Sequence, residues 1–345
     1  MNLLRFAFVA CNKNPQRFMS DPSFIYRCEN LALALQAAGH STELVHYTQL
    51  RDYGQYDVVV FHRPSTRLFF SWFINKLKRK GCLLIADVDD LIFDPQFAHV
   101  SPGVINKLVT LKQTEKNFRS NAKALSYFDK LTTSTRPLMD QLLRLQPDCE
   151  VLLLPNTAHL SWNTLSHTDV ALPKEKILTY FPGTRSHDKD FASITDVLTE
   201  FLYQYPEVKL HITGVLSCQL RCRPEQLTQA EKVPFADYAR HVAKSWVNLA
   251  PLEPNEFNQH KSGLKAIEAA FFNAPTLATP IPDMQRLADA GALLASSPND
   301  WFEQLSLLCN DDYYHQQSWQ LREKSEQKAN IMQQAQAFLE FTGLA

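Results

Sequence analysis

Residues 82–94 read CLLIADVDDLIFD, an apolar run that ends in a cluster of aspartates. Its LLI at 83–85 and the VVV at 58–60 are wholly apolar, so a strand formed by either run would be apolar on both faces. A strand that is apolar on both faces is typical of a parallel sheet covered by helices on both sides. Such sheets bind ligands at the carboxyl ends of their strands, where the aspartates follow. The stretch therefore predicts an α/β protein with a polar site beside these aspartates.

Apolar runs and helical periodicity alternate throughout the N-terminal half of the chain. Strands are predicted at residues 3–10, 42–46, 57–62, 82–88, 130–134 and 150–154. Helices are predicted at residues 24–38, 68–80, 104–128 and 136–145. This alternation is typical of a doubly wound α/β domain, which we assign to residues 1–157.

A second doubly wound pattern follows a polar stretch, residues 158–175, which we interpret as a linker. Strands are predicted at residues 177–181, 208–213, 246–252, 275–279 and 292–295. Helices are predicted at residues 190–205, 235–245, 261–272 and 282–290, with one long amphipathic helix at 311–341. The sequence therefore predicts two Rossmann-like domains, the second at 176–345, with ligand sites facing a cleft between them.

The composition of the 345 residues excludes several classes of protein. With 45% hydrophobic and 21% charged residues, the balance is that of a globular protein. The formal net charge of −1 provides no overall field to attract nucleic acid. No run approaches the ~20 apolar residues of a membrane-spanning helix. Seven irregularly spaced cysteines indicate reduced thiols and a cytoplasmic location.

The segment FPGTRSHDKDF at 181–191 joins a predicted strand to a predicted helix. Gly183 permits a sharp turn and a close approach of the backbone to a ligand. Arg185 and Lys189 follow near a helix N-terminus, where backbone N–H groups favour anions. A guanidinium fork beside a lysine charge is the pair expected for a diphosphate. The alternative interpretation is a solvated loop with ordinary surface charges.

The segment FNQHKSGLKAIEAA at 257–270 has a helical period with a polar face. Lys261, Lys265 and Glu268 share that face, because they are four and three residues apart. A lysine in the first helical turn opposes the helix dipole unless an anion lies there, so Lys261 is a predicted phosphate ligand. The alternative is that Lys265 and Glu268 form a weak surface pair.

Together with the strand at 246–252, these two segments resemble the nucleotide-sugar domain of the family-4-like glycosyltransferases, which have the two-domain GT-B fold. The resemblance is loose over the whole chain and close over residues 176–280. It implies that Glu268 holds the ribose hydroxyls of the donor. Many relatives have a second glutamate eight residues earlier, where this chain has His260. The implied donor site consists of Gly183, Thr184, Arg185, Lys189, Asn258, His260, Lys261, Ser262, Lys265 and Glu268.

The resemblance implies a retaining, metal-independent transferase of the hexosyltransferase type, without a cofactor. It would move a sugar from a nucleoside diphosphate to a glycan or lipid-linked acceptor, in the setting of bacterial surface polysaccharide synthesis. The C-terminal domain would bind the donor and the N-terminal domain the acceptor, with the last helix bracing the first domain. Arg185, Lys189 and Lys261 would stabilise the charge on the departing diphosphate.

The aspartates after the fourth strand admit several interpretations. We expect this loop to contact the acceptor or the transferred sugar, with Asp87 and Asp89 catalytic where family-4-like enzymes frequently have a histidine. The loop also resembles a metal-binding carboxylate pair, as in single-domain transferases, and the nucleophile motif of haloacid-dehalogenase-like phosphatases. The Gly-Thr that normally continues the phosphatase motif is absent, since Asp90 and Leu91 stand there. Helix capping or local hydrogen bonding is the remaining alternative.

The predicted acceptor contacts are Tyr26, Arg27, Arg63 and Asp90, although a structural salt bridge explains Arg63 equally well. The aromatic and basic stretch at 67–80 predicts either a helix packed on the sheet or peripheral contact with the inner face of a membrane. Two other functions remain open: a non-catalytic subunit that binds a sugar nucleotide or a glycan, and a Mg²⁺-dependent phosphatase that requires Asp87.

Overall fold

The computed structural model describes residues 3–11, 14–51, 53–67, 70–165, 175–183, 185–217 and 220–344. The strands are β1 (Arg5–Ala10), β2 (Ser41–His46), β3 (Val58–His62), β4 (Leu83–Val88), β5 (Lys130–Thr133), β6 (Glu150–Leu153), β7 (Ile177–Tyr180), β8 (Lys209–Thr213), β9 (Leu227–Ala230), β10 (Val247–Ala250), β11 (Thr276–Ala278) and β12 (Ala292–Leu294). The first helices are α1 (Pro22–Phe24), α2 (Asn30–Ala37), α3 (Phe70–Arg79), α4 (Pro102–Ile105), α5 (Leu111–Leu125), α6 (Arg136–Leu145), α7 (Asp188–Ala192) and α8 (Thr195–Gln204). The remaining helices are α9 (Phe235–Val242), α10 (Leu264–Ala270), α11 (Pro282–Arg286), α12 (Pro298–Leu308), α13 (Asp311–Ser318), α14 (Leu321–Lys328) and α15 (Ile331–Thr342).

The chain forms two compact units. The first unit comprises Met1–His99, Val109–Leu160 and Asn330–Ala345, and the second comprises Val100–Leu108 and Ser161–Ala329. These divisions differ from the predicted ones in three places, since a short segment near residue 104 joins the second unit, the last helix joins the first, and the boundary after Leu160 falls inside the predicted linker. No helix in the described ranges is long and apolar enough to cross a membrane.

The first unit is built on a six-stranded parallel sheet in the order β2-β1-β3-β4-β5-β6. Every residue of β3 is buried, as the apolar run at 58–61 predicts, and the burial extends to the polar His62 at its end. The connections from β3 through β6 all advance in one direction, so right-handed crossovers place α3, α5 and α6 on one face of the sheet. The step from β1 to β2 runs the other way and places α2 on the opposite face, where α15 packs against it.

The second unit has its own parallel sheet, in the order β12-β11-β10-β7-β8-β9. Its core includes the fully buried side chains of Phe191, Phe201 and Leu305. The predicted α/β class with two Rossmann-like sheets is therefore confirmed. In both units the sheet directs the carboxyl ends of its central strands to one edge, which is where parallel sheets bind ligands.

Two features of the second half differ from the sequence prediction. Strand β9 is not predicted, because it is an edge strand whose sequence, LTQA, has little apolar character. The single long helix at 311–341 is wrong, since three helices occupy that stretch. Gln320 has a left-handed φ of 54° that ends the helical path, and the Asn330 side chain caps the start of α15.

Candidate functional site

Polar side chains at the carboxyl ends of β3, β4 and β5 form one hydrogen-bonded network in the first unit. Asp87 lies at its centre with a side chain only 4% exposed. Its Oδ1 accepts hydrogen bonds from Arg27 Nη2 at 2.6 Å and from Thr132 Oγ1 at 2.7 Å, and its Oδ2 lies 2.8 Å from His62 Nδ1. Burial alone would raise the pKa of Asp87, but the charge of Arg27 and the contact with His62 hold it below its usual value.

The network continues to Asp89 through Ser23. The Ser23 hydroxyl lies 2.9 Å from His62 Nε2 and 2.5 Å from Asp89 Oδ2, while Arg63 Nε donates to Asp89 Oδ1 at 2.6 Å. Burial would raise the pKa of Asp89, but the charges of Arg63 and His62 and the bonds from Arg63 and Ser23 lower it. The structural salt bridge that the sequence leaves open for Arg63 is thus present. Arg63 also has a left-handed φ of 49°, uncommon for a residue other than glycine.

The order Ser23, His62, Asp87 resembles the relay that activates a nucleophilic serine. The proton positions argue against that role here. Serine has one hydroxyl proton, and the ionised Asp89 can only accept a hydrogen bond. If Ser23 donates to Asp89, it has no proton to give to His62, so the ring can only be the donor in its contact with the serine. The network therefore holds Ser23 and Asp89 in place rather than preparing a nucleophile.

The remaining predicted residues of the first unit lie around this network. Arg27 is buried, and its Nη1 also donates to the Leu154 carbonyl at 2.5 Å. Tyr26 is buried with its ring 6.2 Å from that of His159. Asp90 is partly exposed, and its Oδ1 accepts a hydrogen bond from the Leu91 N–H at 3.1 Å.

The two predicted donor segments of the second unit lie together at the carboxyl edge of its sheet. They are joined by Asp190, a buried residue that the sequence analysis did not single out. Asp190 Oδ1 accepts from the Glu253 N–H at 2.8 Å and from Asn258 Nδ2 at 3.3 Å, and its Oδ2 lies 2.9 Å from His187 Nδ1. Asn258 is buried too, and its Oδ1 has no hydrogen-bond partner among the described residues.

Arg185 and Lys189 lie on this joined edge with exposed side chains. Arg185 begins a single 3-10 turn and Lys189 belongs to α7. Within the described ranges neither side chain forms an ion pair or hydrogen bond, so both cations are available to a ligand. Thr184, between Gly183 and Arg185, lies outside the described residues.

The chain bends at Gly183, and Gly214, which follows the neighbouring strand β8, packs against the Pro182 backbone beside it. Gly214 ends β8 with φ +138°, and a Cβ there would lie 2.1 Å from the Pro182 carbonyl oxygen. Gly183 is exposed and does not have a left-handed φ, and a Cβ there would meet no atom within 4 Å. The bend at Gly183 therefore does not require a glycine, while the space above it leaves room for a ligand to approach the backbone.

The polar face of α10 differs from the prediction in one respect. Lys261 precedes the helix, which begins at Leu264 after the Gly263 cap, so the argument that it opposes the dipole in the first turn is wrong. Lys265 occupies that turn, and its Nζ lies 2.9 Å from Glu268 Oε2 and 2.6 Å from the Tyr238 hydroxyl. Glu268 is 2% exposed, so its pair with Lys265 is not the weak surface pair considered as the alternative.

The Tyr238 hydroxyl also donates to Glu268 Oε2, at 2.9 Å. Burial, and then the charge of Glu268, raise the pKa of Tyr238 well above its usual value, which keeps the phenol protonated. Tyr238 is a further residue that the sequence analysis missed, because only the fold brings α9 to α10. Glu268 Oε2 therefore accepts from both Lys265 and Tyr238, and its ribose-binding role stays a prediction.

The loop before α10 is held from both ends. Asp283 Oδ2 accepts a hydrogen bond from the Gly263 N–H at 2.6 Å, and the Ser262 hydroxyl accepts from the Leu264 N–H at 3.2 Å. His260 Nδ1 lies 2.9 Å from the Glu256 carbonyl. In the part of the chain that the structure describes, no three His, Cys, Asp or Glu side chains gather as metal ligands. The donor-binding and catalytic roles of all these residues stay predictions.

No protein-family model matches this chain, and no curated protein matches it in sequence. Solved structures match it over nearly its whole length. Sucrose-phosphate synthase from Thermosynechococcus elongatus is 14% identical with a TM-score of 0.62, covering 99% of this chain and 100% of that chain. WaaG, a glycosyltransferase involved in lipopolysaccharide biosynthesis, is 12% identical with a TM-score of 0.63, covering 99% of this chain and 100% of that chain.

A protein assigned as a UDP-N-acetylglucosamine 2-epimerase, from Listeria monocytogenes, is 12% identical with a TM-score of 0.54, covering 98% of this chain and 95% of that chain. At these identities the likeness concerns the fold. The chain has the GT-B fold of two Rossmann-like domains, as the sequence predicts. Because transferases and the epimerase share this fold, the fold alone does not select between their reactions.

Proposed function

We propose that this chain is a glycosyltransferase that moves a sugar from a nucleoside diphosphate to a glycan or lipid-linked acceptor. The observation that carries the proposal is the pair of exposed cations, Arg185 and Lys189, at the carboxyl edge of the second sheet. Asp190 lies in the segment that carries these two cations and accepts hydrogen bonds from the segment before α10. Two cationic segments of the chain therefore meet at the carboxyl ends of the strands. Such an edge suits a diphosphate bound between them.

The chemistry follows from where charge develops. When the sugar leaves the diphosphate, negative charge grows on the phosphate oxygens and the sugar gains oxocarbenium character. Arg185 and Lys189 would stabilise the departing diphosphate, and removing one such donor typically costs about 2.7–4 kcal/mol in the barrier. Lys261 and Lys265 are further candidates for the same charge. Retention of the anomeric configuration, independence from metal, and a setting in bacterial surface polysaccharide synthesis belong to the proposal through the resemblance alone.

Within the first unit we assign acceptor contact to the outer end of the polar network. Among the charged residues of this network Arg63 is the most exposed, with 31% of its side chain accessible, and it forms an ion pair with Asp89. Asp87 is enclosed by Arg27, His62 and Thr132, which makes it a positioning residue for Asp89. The same enclosure argues against the phosphatase interpretation, because a nucleophilic aspartate needs an accessible carboxylate oxygen.

A thermal-shift panel with UDP, GDP, dTDP and CDP tests the donor site. One nucleotide should raise the unfolding midpoint without Mg²⁺, since a ligand at 100 times its Kd adds about 2.7 kcal/mol of stability. The Arg185→Ala/Lys189→Ala variant should lose that shift. The matched control is Arg240→Ala/Lys244→Ala, which removes one exposed cation in α9 and another just after it. This variant should keep the shift.

Turnover then separates the reactions that the fold allows. A transferase releases the nucleoside diphosphate only when an acceptor is present, whereas an epimerase converts the sugar nucleotide with no acceptor. A bound nucleotide without either product would favour the non-catalytic subunit. The donor-site assignment is refuted if no nucleotide shifts the midpoint, or if the Arg185/Lys189 variant responds like wild type.

A further inference from the structure

A short stretch from the first half of the sequence belongs to the second unit. Val100–Leu108 lies between β4 and α5, yet it groups with the second unit, whereas the chain on either side of it groups with the first. Its helix α4 packs against the single turn Arg185–His187, and Asn106 Nδ2 donates a hydrogen bond to the Ser186 carbonyl at 2.8 Å. The stretch therefore lies directly beside the turn that carries Arg185.

A lysine in a left-handed conformation follows the end of α4. Lys107 has a φ of 56° and donates its N–H to the Val104 carbonyl at 2.9 Å, while the Leu108 N–H donates to the Gly103 carbonyl at 2.9 Å. This pair of hydrogen bonds is the Schellman motif, in which the left-handed residue after the helix is usually a glycine. The motif explains the backbone conformation of Lys107, but a side chain at this position has an energetic cost that glycine would avoid.

No contact within the protein offsets that cost for the Lys107 side chain. The side chain is exposed, and among the described residues its ammonium group has no ion pair and no hydrogen bond. Of the other left-handed residues apart from glycine, Arg63 pairs with Asp89, and Asn273 Oδ1 accepts a backbone hydrogen bond at 3.1 Å. Gln320 is exposed but carries no charge. Left-handed residues other than glycine are concentrated at ligand sites, so the retention of a lysine here points to a ligand.

We propose that Lys107 is a third cation of the donor site and binds phosphate oxygens of the nucleoside diphosphate together with Arg185 and Lys189. Lys107 follows Asn106 and Arg185 precedes Ser186, so the hydrogen bond between Asn106 and Ser186 brings the two cations into one neighbourhood. An ammonium group binds phosphate as a point charge, without the fixed geometry that a guanidinium requires. This inference rests on the proposed function, and it gives a binding role to a residue from the first half of the sequence.

Titration calorimetry with the nucleoside diphosphate that raises the unfolding midpoint tests this role. Lys107→Gln should weaken binding about tenfold in Kd, because a hydrogen bond between a cation and a phosphate oxygen is lost. Lys107→Arg keeps the charge and should recover most of the affinity. The control Lys244→Gln removes an exposed cation after α9 in the same unit and should leave the Kd unchanged.

Replacement by glycine separates ligand binding from stability. Lys107→Gly relieves the left-handed conformation, so it should raise the unfolding midpoint of the free protein by about 1–3 °C and still weaken the Kd about tenfold. Gln320→Gly makes the same backbone change at the exposed residue before α14, and it should raise the midpoint without changing the Kd. A lysine that only closes a helix would instead give the same Kd in both glycine variants.

The outcomes distinguish this inference from the proposed function. If wild type binds no nucleoside diphosphate, the proposed function fails and the role of Lys107 fails with it. If wild type binds one and Arg185→Ala/Lys189→Ala does not, but both Lys107→Gln and Lys107→Gly bind as tightly as wild type, only the role of Lys107 is overturned. It is also overturned if Lys244→Gln weakens the Kd as much as Lys107→Gln, because net charge would then explain the effect.

Discussion

Replacing Asp87 by asparagine tests whether the polar network of the first unit is a structural frame. The substitution keeps the shape of the side chain but removes the charge that faces Arg27 and His62. Asp87 accepts hydrogen bonds through both carboxylate oxygens, whereas an asparagine has one acceptor oxygen and turns an NH₂ group toward donors. The change therefore leaves the buried Arg27 charge without its partner.

The expected cost follows from that burial. The side chain of Arg27 is as enclosed as that of Asp87, so water cannot replace the lost carboxylate. Breaking a buried ion pair by removing one member costs about 3–5 kcal/mol. With a urea dependence of about 2 kcal/mol per molar, the unfolding midpoint of the first unit should fall by roughly 1.5–2.5 M.

Urea unfolding monitored through hydrogen exchange of peptides from β3 and β4 measures the stability of the first unit separately from that of the second. Asp140→Asn is the matched control, because Asp140 pairs with Arg136 at 2.8 Å on the exposed side of α6. That exposed pair should be worth less than about 0.5 kcal/mol. The double variant Arg27→Met/Asp87→Leu should recover part of the loss, since it leaves no unpaired buried charge.

Equal midpoints for Asp87→Asn and Asp140→Asn would refute the reasoning. A destabilisation of Asp87→Asn that the double variant does not relieve at all would contradict the ion-pair explanation and leave shape as the cause. If Asp87→Asn instead kept full stability but lost transfer activity, Asp87 would have to contact substrate, contrary to its enclosure.

Two further predictions concern protonation and backbone shape. Burial lowers the pKa of His159 from 6.5 to about 4, so the folded state favours the neutral ring. His159 therefore makes the free energy of unfolding about 3 kcal/mol larger above pH ~6.5 than at low pH, and this stability is lost as the pH falls toward ~4. His159→Phe should flatten stability over that pH range in urea unfolding, and an unchanged pH profile would rule this out. Gly214→Ala should cost at least about 2 kcal/mol in thermal unfolding, because of its φ and the contact with Pro182, whereas Gly183→Ala should change stability by less than about 0.5 kcal/mol. The opposite ranking would contradict the conclusion that Gly214, and not Gly183, lies where only glycine fits.

The strands were the most predictable part of the fold. Buried parallel strands such as β3 and β4 are apolar on both faces, so the sequence marks them directly. Strand β9 is different because it lies at the sheet edge, and its identity depends on pairing with β8. The breaks near Gln320 and Asn330 are local events in a stretch whose composition favours helix throughout, which is why one long helix was predicted there.

The candidate sites were predictable as segments and less so as contacts. The segments at 181–191 and 257–270 do meet at one sheet edge, but nothing in the sequence distinguishes Asp190 from Asp188 as the residue that joins them. Tyr238 is 27 residues from its partner Lys265, and His62 is 25 residues from Asp87. Such pairs form only when strands and helices distant in sequence pack together, so their spacing carries no local signal.

Helix α15 has a consequence for the order in which the chain acquires its structure. Its Phe338 is fully buried beside Phe6 of β1, the first strand of the sequence. On a ribosome, the stretch that contains α15 emerges only after all of the second unit has been made. The second unit holds every segment of its own core without α15, whereas the first unit needs α15 to cover the surface around Phe6. A released chain truncated after residue 329 should thus have a finished C-terminal unit and an unsealed N-terminal one.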